Sequence, residues 1–324
     1  MSSSLKPAFD PDLQQGFDNN PLKFPPLTKE ILPNLRKALQ SLSSTKEDAM
    51  RTDPDLTIEE FSTPGPTGQP LHLAIIRSSK SSGGPRPAIY FIHGGGMIMG
   101  NRYGFPNHDW VKQLDVTVIS VEYRLAPENV QPALLDDCLF GLEYVASHPS
   151  EFNIDAEKII ICGVSGGGGL AAGTALAARD RGIKLLAQCL IYPMLDDRME
   201  TASSKQYFDL GVWKGVQNVP AWEWVLGKEK EERKQVNPYF VPARAMDLEG
   251  LPTTFLDVGA AEIFRDEVIA YASKLLEQGV QTELHVWPGA WHGFDLFAPG
   301  AAVSKAARHA QMDWLKRILQ VPSA

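Results

Sequence analysis

The sequence contains little cysteine. Only three cysteines occur among 324 residues, and Cys138, Cys162 and Cys189 all lie in apolar stretches. An odd number without paired spacing argues against a disulfide framework and favours buried thiols in a reducing compartment. The chain also lacks any Asn-x-Ser/Thr glycosylation acceptor, and its first residues lack an apolar core of signal-peptide length. These absences predict a cytoplasmic protein.

Long runs of positive charge are missing as well. The 31 Lys and Arg residues are outnumbered by 39 Asp and Glu residues, which gives a formal charge of −8. This balance argues against a nucleic-acid partner, because phosphates demand a basic footprint. The sequence also has no cluster of residues with metal-ligand spacing. It therefore predicts neither a metal nor another cofactor.

One uncharged run is long enough to mislead. Residues 159–178 carry no charge, which by length alone permits a membrane helix. However, Gly163 and the run Gly166–Gly169 divide this segment into a β-branched part and an alanine-rich part. We therefore predict a strand, a turn and a helix here, and no membrane span.

Apolar patterns along the chain alternate between strands and helices. Mostly continuous apolar runs, typical of strands covered on both faces, predict strands over 71–77, 88–92, 116–123, 158–162, 185–192, 253–258 and 282–287. Helical spacing predicts helices between them, and one more from Thr28 to about Leu42. The turn-rich segment Ser78–Pro87 predicts a hairpin-like loop between two strands. Together these patterns predict an α/β domain with a mostly parallel sheet.

Residues 193–251 are too many for an ordinary connection and predict an insertion. The insertion is rich in aromatic residues, namely Tyr207, Phe208, Trp213, Trp222 and Trp224. By itself, such a segment is equally typical of a lid over a pocket and of a well-packed subdomain.

Residues 163–167 have the G-x-S-x-G pattern of a nucleophile elbow, centred on Ser165. An elbow is a sharp strand-to-helix turn, and its glycines avoid Cβ clashes in strained geometry. The alternative is a glycine-rich phosphate loop or close helix–strand packing, because the pattern alone is a weak signal. A β-branched run precedes it, an alanine-rich run follows, and no Gly-Lys-Ser/Thr is present. We therefore predict that Ser165 is a nucleophile.

Three consecutive glycines follow His93 at the end of another predicted strand. Glycines at such positions let backbone N–H groups turn towards a developing oxyanion. A second donor is expected from the residue after the nucleophile, which is Gly166. We interpret His93 as a residue that orients this loop through hydrogen bonds, rather than as a catalytic residue.

A serine nucleophile needs a base. In one common chain order, the serine comes first, the acid follows, and the histidine base comes last. Only three histidines follow Ser165. His285 lies within a predicted strand and His309 on the last predicted helix, whereas His292 lies in a glycine-flanked loop, where function concentrates. We therefore predict that His292 is the base.

The acid is expected in the loop after the strand over 253–258. Glu262 is the first carboxylate there, whereas Asp266 and Glu267 open the next predicted helix. Negative charge in the first turn of a helix complements its dipole, which gives the latter two a structural role. We predict that Glu262 is the acid, with Asp266 as the alternative.

Together these motifs resemble the hormone-sensitive-lipase-like branch of the α/β-hydrolase carboxylesterases. The matching segments are His93–Gly96, Glu122–Glu128, the elbow at Ser165, Arg265–Glu267 and His292–Phe294. The resemblance implies an eight-stranded sheet and a cap built partly from the N-terminal segment. It also implies that Gly94 and Gly95 donate to the oxyanion.

Three positions depart from the family pattern. The elbow of the family usually reads Gly-Asp-Ser-Ala-Gly, whereas Val164 and Gly166 flank Ser165 in this sequence. The acid of the family is usually Asp, and Glu262 stands in its place. We expect a divergent subgroup that keeps the machinery of the family.

The sequence thus predicts one α/β-hydrolase domain over residues 1–324, with cap contributions from about 1–57 and 197–245. We predict a serine carboxylesterase with a Ser165–His292–Glu262 triad that hydrolyses small to medium hydrophobic esters, with short acyl chains preferred. Three insertion tryptophans are expected to close a compact pocket, and two methionines to adapt its floor. These residues are Trp213, Trp222, Trp224, Met97 and Met99.

Two alternatives remain open at this level. An amidase or a lactone hydrolase would use the same triad, because one constellation serves all acyl transfer. A non-catalytic receptor is the other, since plant gibberellin receptors resemble the family, but they lack the catalytic histidine that His292 supplies here. The expected partner is a small-molecule ester, and no membrane partner is expected. The resemblance also implies a possible homodimer, because members of the family often dimerise through the last strand and helix.

Overall fold

The computed structural model describes residues 5–19, 26–42, 46, 53–81, 83–229 and 232–321, apart from the side chains of 38–42. Its framework is a single sheet in the order β1-β2-β4-β3-β5-β6-β7-β8. The strands are β1 Leu56–Pro64, β2 Pro70–Ser78, β3 Arg86–Ile92, β4 Thr117–Val121, β5 Ile154–Val164, β6 Ala187–Ile191, β7 Thr253–Gly259 and β8 Thr282–Trp287. The predicted eight-stranded sheet is confirmed.

Helices occupy the connections between the strands. Those described are α1 Pro11–Asp18, α2 Leu32–Leu42, α3 His108–Leu114, α4 Ala133–Ser147, α5 Gly166–Asp180, α6 Ala202–Gln206, α7 Gly215–Leu226, α8 Arg265–Glu277, α9 Phe294–Phe297 and α10 Ala302–Leu319. The insertion contains α6, α7 and a short 3-10 turn at Pro242–Arg244. Helix α2 begins four residues later than predicted. Its prediction rested on the helical spacing of Leu32, Leu35, Leu39 and Leu42, and the side chains of the last two lie outside the described part of the chain.

Strand direction explains which strands the sequence made easy to find. Strands β3 to β8 pair in parallel, and every residue of β4 and β6 is buried. Helices on both faces of a parallel sheet require such continuous apolar runs. Strand β1 was missed because it is an antiparallel edge strand in which Glu59 and Glu60 are exposed. An edge strand with a solvated face has no continuous apolar run.

The predicted hairpin between the strands around Ser78–Pro87 is wrong. Strand β2 pairs with β1 and β4, and β4 lies between β2 and β3. The tight turn that the structure does contain joins β1 to β2, where the Gly65 N–H donates to the Gln69 carbonyl at 2.7 Å. A turn-rich segment marks a reversal of the chain but does not decide which strands become neighbours.

The long uncharged run forms the end of β5 and most of α5, as the glycine punctuation predicted. In the described part of the chain, no helix combines the length and the hydropathy needed to cross a bilayer. All three cysteines are buried with free thiols. The carboxyl ends of β5, β7 and β8 lead into the loops that carry Ser165, Glu262 and His292, so the three loops meet at one edge of the sheet.

Candidate active site

Ser165 occupies a strained turn between β5 and α5. Its φ of 56° and ψ of −120° are uncommon for a residue with a side chain. Hydrogen bonds hold the turn, because Ser165 N–H donates to Ile191 O at 2.9 Å and Ser165 O accepts from Met194 N–H at 3.0 Å. A Cβ at Gly163 would overlap the Gly167 carbonyl, so no larger residue fits there. The strain is over-determined by its surroundings, as at many functional sites.

A continuous hydrogen-bond chain joins Ser165 to the two other predicted residues. Ser165 Oγ lies 2.8 Å from His292 Nε2, and His292 Nδ1 lies 2.6 Å from Glu262 Oε2. A carboxylate accepts from the Nδ1–H group, which leaves Nε2 as the acceptor of the serine proton. The second Glu262 oxygen accepts from Gly259 N–H at 3.1 Å. The three side chains are almost fully buried, with 7% of Ser165, 8% of His292 and 2% of Glu262 exposed.

Two aromatic rings fix the plane of the His292 imidazole. Tyr192 lies edge-on to it with ring centroids 4.9 Å apart, and Phe264 lies edge-on at 5.1 Å. The Tyr192 hydroxyl in turn donates to Asp295 Oδ1 at 3.1 Å. These two supports were not predicted from the sequence. Tyr192 is the last residue of one predicted strand and Phe264 follows Glu262 by two residues, but no pattern distinguishes them from core aromatics.

The rival acid Asp266 is engaged elsewhere. Its Oδ2 accepts from Ser203 N–H at 2.7 Å, which fastens α6 to the start of α8, and its Oδ1 pairs with Arg265 Nε at 2.6 Å. Burial by itself would raise the pKa of Asp266, but these hydrogen bonds hold it below the ordinary value. Glu267 also has a structural position, because it accepts from Leu195 N–H at 2.7 Å.

The other two histidines after Ser165 bind neighbours on their own elements. His285 Nε2 lies 2.9 Å from Glu283 Oε1, and its ring stacks on Trp287. His309 Nε2 pairs with Asp313 Oδ2 at 3.0 Å on the last helix. Of the three candidates for the base, the structure therefore brings His292 to the serine.

The glycines after His93 form a loop beside the serine. A Cβ on Gly94 would lie 3.6 Å from the Ser165 Cβ. Gly95 and Gly96 have φ values of 110° and 61°, a region that favours glycine. On the other side, a Cβ on Gly166 would lie 2.7 Å from Met97 N and 2.9 Å from Gly96 N. The backbone of this loop thus packs directly against the residue that follows the nucleophile.

His93 contacts the same loop and holds its first glycine. Its Nδ1 lies 2.9 Å from Gly94 O, and its ring stacks on Tyr123 with centroids 4.2 Å apart. The Tyr123 hydroxyl donates to His93 O at 2.9 Å. Burial lowers the pKa of His93, which favours the neutral ring. This geometry agrees with an orienting role for His93. Tyr123 shares in this role, although it was not predicted from the sequence.

Ser165 opens into a small apolar cavity of about 220 Å³, called the serine cavity below. It is lined by His93–Gly96, Met99–Asn101, Gly104, Pro106, Val164, Ser165, Tyr192, Val212, Trp213, His292, Gly293, Leu296 and Phe297. Trp213 lies against the glycine loop so closely that a side chain at Gly96 would overlap its indole ring.

The prediction that three tryptophans close the pocket is only partly correct. Trp213 lines the serine cavity, whereas Trp222 is fully buried in the core and Trp224 packs against that core. Likewise Met99 lines the cavity, but Met97 is completely buried behind it. The packing of the insertion, which has no periodic pattern, decides which aromatic residue faces the cavity.

The N-terminal segment packs on the loop that carries His292. Asp10 N–H donates to Gly289 O at 3.0 Å, and Phe17 lies edge-on to Trp291 with centroids 5.8 Å apart. The insertion joins the same assembly, because the Tyr207 hydroxyl donates to Pro7 O at 2.6 Å. Both segments predicted to contribute to a cap therefore contact each other and the rim of the site.

A serine hydroxyl, an imidazole and a carboxylate in one hydrogen-bond chain, beside glycine amides and an apolar cavity, form a constellation suited to acyl transfer. In the part of the chain that the structure describes, no group of three or more His, Cys, Asp or Glu residues could hold a metal ion.

Comparisons with known proteins agree with this geometry. A family model for the α/β-hydrolase fold matches residues 89–296. Carboxylesterase NlhH of Mycobacterium tuberculosis is 29% identical over 97% of this chain and 97% of its own length. The solved structure of a bacterial heroin esterase matches with a TM-score of 0.87 and 35% identity, covering 96% of this chain and 98% of that one.

An arylesterase of Saccharolobus solfataricus is 34% identical over 60% of this chain, and the match spans 63% of that protein. The chain belongs to the α/β-hydrolase family. Within that family it is a member of the hormone-sensitive-lipase-like branch, and it is a carboxylic ester hydrolase.

Proposed function

We propose that the protein is a serine carboxylesterase in which Ser165, His292 and Glu262 form the catalytic triad. The observation that carries this proposal is the hydrogen-bond chain from Ser165 Oγ through His292 to Glu262, with distances of 2.8 and 2.6 Å. Of these three hydrogen-bonded residues, Ser165 is the one that has a strained backbone and also lines the serine cavity. Similar proteins of the same branch are named as esterases, which supports ester hydrolysis over other acyl transfers.

In the proposed mechanism, Ser165 Oγ attacks the ester carbonyl while His292 Nε2 takes its proton. Glu262 holds the imidazole in the productive tautomer and stabilises the cation that forms. The N–H groups of Gly94, Gly95 and Gly166 stabilise the negative oxygen of the tetrahedral intermediate. His292 then protonates the leaving alcohol, and water hydrolyses the acyl-enzyme by the same steps in reverse order.

The size of the serine cavity supports small to medium hydrophobic esters with short acyl chains. Its volume of about 220 Å³ is below the roughly 300–1,000 Å³ typical of pockets for drug-sized ligands. Trp213 and Phe297 close it with apolar surface. We further propose that residues about 1–57 and 197–245 form a cap of a single hydrolase domain, since their described parts meet at the rim of this cavity.

Replacement of the serine tests the proposed chemistry. Ser165→Ala removes one oxygen from a turn held by backbone hydrogen bonds, so the fold should persist while kcat for an aryl ester falls by about 10³-fold or more. Ser150→Ala, at an exposed position, is the matched control and should keep full activity. Labelling by a fluorophosphonate should be lost in the first variant only. Turnover by Ser165→Ala within tenfold of the parent would overturn the proposal.

A series of aryl esters from acetate to palmitate tests the substrate class. We expect the highest kcat/KM at short acyl chains, because the serine cavity leaves little room beyond them. The anilide and lactone analogues of the best ester belong in the same experiment. A preference for palmitate, or a faster reaction with the anilide or the lactone, would contradict this part of the proposal.

A further inference from the structure

A second cavity adjoins the serine cavity. It has a volume of about 410 Å³ and lies between α3 and α10, and Pro106 lines both cavities. A second link passes through α9, where Arg308 Nη2 donates to Asp295 O at 2.8 Å and the next residue, Leu296, lines the serine cavity. The second cavity, called the basic groove below, therefore adjoins the serine cavity at Pro106.

The basic groove is rich in positive charge. Its basic side chains are His108 and Lys112 on α3, and Lys305, Arg308, His309 and Lys316 on α10. The spacing of 305, 308, 309 and 316 puts the latter four on one face of a helix. Two carboxylates also line the groove, but Lys112 pairs with both, with Asp53 at 2.6 Å and Asp109 at 3.3 Å. Burial lowers the pKa of His108, which favours its neutral form, and His309 pairs with Asp313. The net positive charge of the groove therefore comes from Lys112, Lys305, Arg308 and Lys316, which outnumber the two carboxylates although the whole chain has a formal charge of −8.

Three cationic donors in the groove have unused capacity. Neither Lys305 nor Lys316 forms an ion pair or side-chain hydrogen bond with any residue in the described ranges, although Lys316 is half-buried. Arg308 donates one N–H of Nη2 to Asp295 O, and its side chain also lines the groove. The two ammonium groups and this guanidinium therefore offer donors to an anionic group that enters the groove, because a carboxylate accepts charge-assisted hydrogen bonds from such cations.

From this arrangement we propose that the basic groove binds an anionic group of the substrate, so that the preferred esters carry a carboxylate in addition to the scissile bond. This inference rests on the proposed function at Ser165. The ester itself occupies the apolar serine cavity, and the carboxylate passes Pro106 to meet Arg308, Lys305 and Lys316. Such contacts strengthen substrate binding and do not alter the chemistry at the serine.

The test uses two pairs of esters that differ by one negative charge. 4-Nitrophenyl butyrate and mono-4-nitrophenyl succinate place the carboxylate on the acyl side, whereas phenyl acetate and 3-acetoxybenzoate place it on the alcohol side. Each kcat/KM is divided by the rate of hydroxide-catalysed hydrolysis of the same ester, which removes differences in intrinsic reactivity. We expect the anionic ester to be favoured in at least one pair at low salt, and less so at 0.5 M salt, because salt screens charges.

The double variant Lys305→Gln/Lys316→Gln assigns the preference to the groove. Each exposed or half-buried charge pair is worth little, so we expect the anionic-to-neutral ratio to fall by about three- to tenfold. Lys234→Gln, an exposed lysine far along the chain from the groove, is the matched control and should leave the ratio unchanged.

Two results would overturn the inference while leaving the proposed function intact. One is hydrolysis of neutral esters without any preference for the anionic member of either pair. The other is a preference that survives in the double variant. Failure of the proposed function is a different result, namely ester turnover that persists in Ser165→Ala.

Discussion

The floor and the roof of the serine cavity are built in different ways. The floor consists of loops at strand ends, where backbone hydrogen bonds and tight glycine contacts hold Ser165, Glu262 and the glycine loop. The roof consists of apolar side chains from the insertion and from α9, chiefly Trp213, Leu296 and Phe297. The Trp213 indole N–H donates to Asn218 within the insertion, so the roof is held by its own segment.

This difference separates two kinds of expected effect. A change in the floor moves groups that act on the reacting atoms, so it should lower kcat. A change in the roof alters contacts with the acyl chain, so it should change KM and chain-length preference. Variants of the floor and of the roof should therefore differ in whether kcat or chain-length preference changes, and the largest effect is expected in the floor.

Glu262→Gln should give the largest change of these variants. The amide keeps the shape of the side chain but no longer favours the productive tautomer of His292. We expect kcat to fall by about 10²–10⁴-fold with little change in KM, measured with a short-chain aryl ester.

Asp266→Asn is its matched control. Asp266 lies at the start of α8 and accepts a hydrogen bond from Ser203 N–H. Loss of its charge should therefore cost about 0.3–1 kcal/mol of stability and leave kcat near the parent value. A folded but inactive Asp266→Asn, together with an active Glu262→Gln, would reverse the assignment of the acid.

Gly166→Ala should impair the enzyme even though it restores the alanine usual in the family. The added Cβ would lie 2.7 Å from Met97 N and 2.9 Å from Gly96 Cα, and neither backbone atom can move without shifting the glycine loop. Because displacements near 1 Å cost about 10²-fold in rate, we expect kcat to fall by about 10- to 100-fold. Unchanged kcat would show that the loop yields, and that the floor is less rigid than its contacts suggest.

Asp257, beneath the floor on β7, should make stability depend on pH. Burial raises its pKa from 3.8 to about 7, although Gln311 and Trp287 donate to its Oδ2. Between these two values the unfolded chain releases the proton and the folded protein keeps it, so stability falls as pH rises from about 4 to 7. Above pH 7 the buried carboxylate lowers the free energy of unfolding by its full amount, on the order of a few kcal/mol.

Asp257→Asn removes this titration. We expect the urea midpoint of the variant to exceed that of the parent at pH 8, and the difference to shrink at pH 5. The comparison between the two proteins is needed because Asp295, whose pKa burial also raises, titrates in both. A variant that is less stable than the parent by the same amount at both pH values would contradict the prediction.

Trp213→Leu should give the smallest effect on chemistry and the clearest effect on size selection. A shorter side chain enlarges the serine cavity beside Gly96. The kcat/KM for hexanoate and octanoate esters should therefore rise by about three- to tenfold relative to acetate. Trp224→Leu is the control, because Trp224 packs against the core without lining the serine cavity. Equal shifts in both variants would mean that general loosening of the insertion sets the preference.

Much of the framework followed from local patterns. Strands such as β4 and β6 are buried on both faces, so their apolar runs are unambiguous. Strand β1 was missed because Glu59 and Glu60 interrupt its pattern at the solvent-exposed edge. The hairpin prediction was wrong because a turn-rich segment does not reveal that β4 lies between β2 and β3.

The candidate site divides in a similar way. Ser165, Glu262 and His292 were identified from motif and chain order, and the structure brings all three into one hydrogen-bond chain. Tyr192 and Phe264, which hold the imidazole ring, were not identified. Residues that act by packing against a reactive side chain carry no motif, because many apolar side chains satisfy the same geometric need.

The sequence by itself determined where the chain turns sharply and which chemical groups those turns carry. Glycine spacing and apolar periodicity act over a few residues, so they are readable without the fold. Only the tertiary structure decided that Trp213 lines the cavity while Trp222 does not, and that Lys316 on α10 and Lys112 on α3 line the same groove. These contacts join segments that are far apart in the chain, and their energy comes from burial and charge summed over the folded molecule, which no local pattern records.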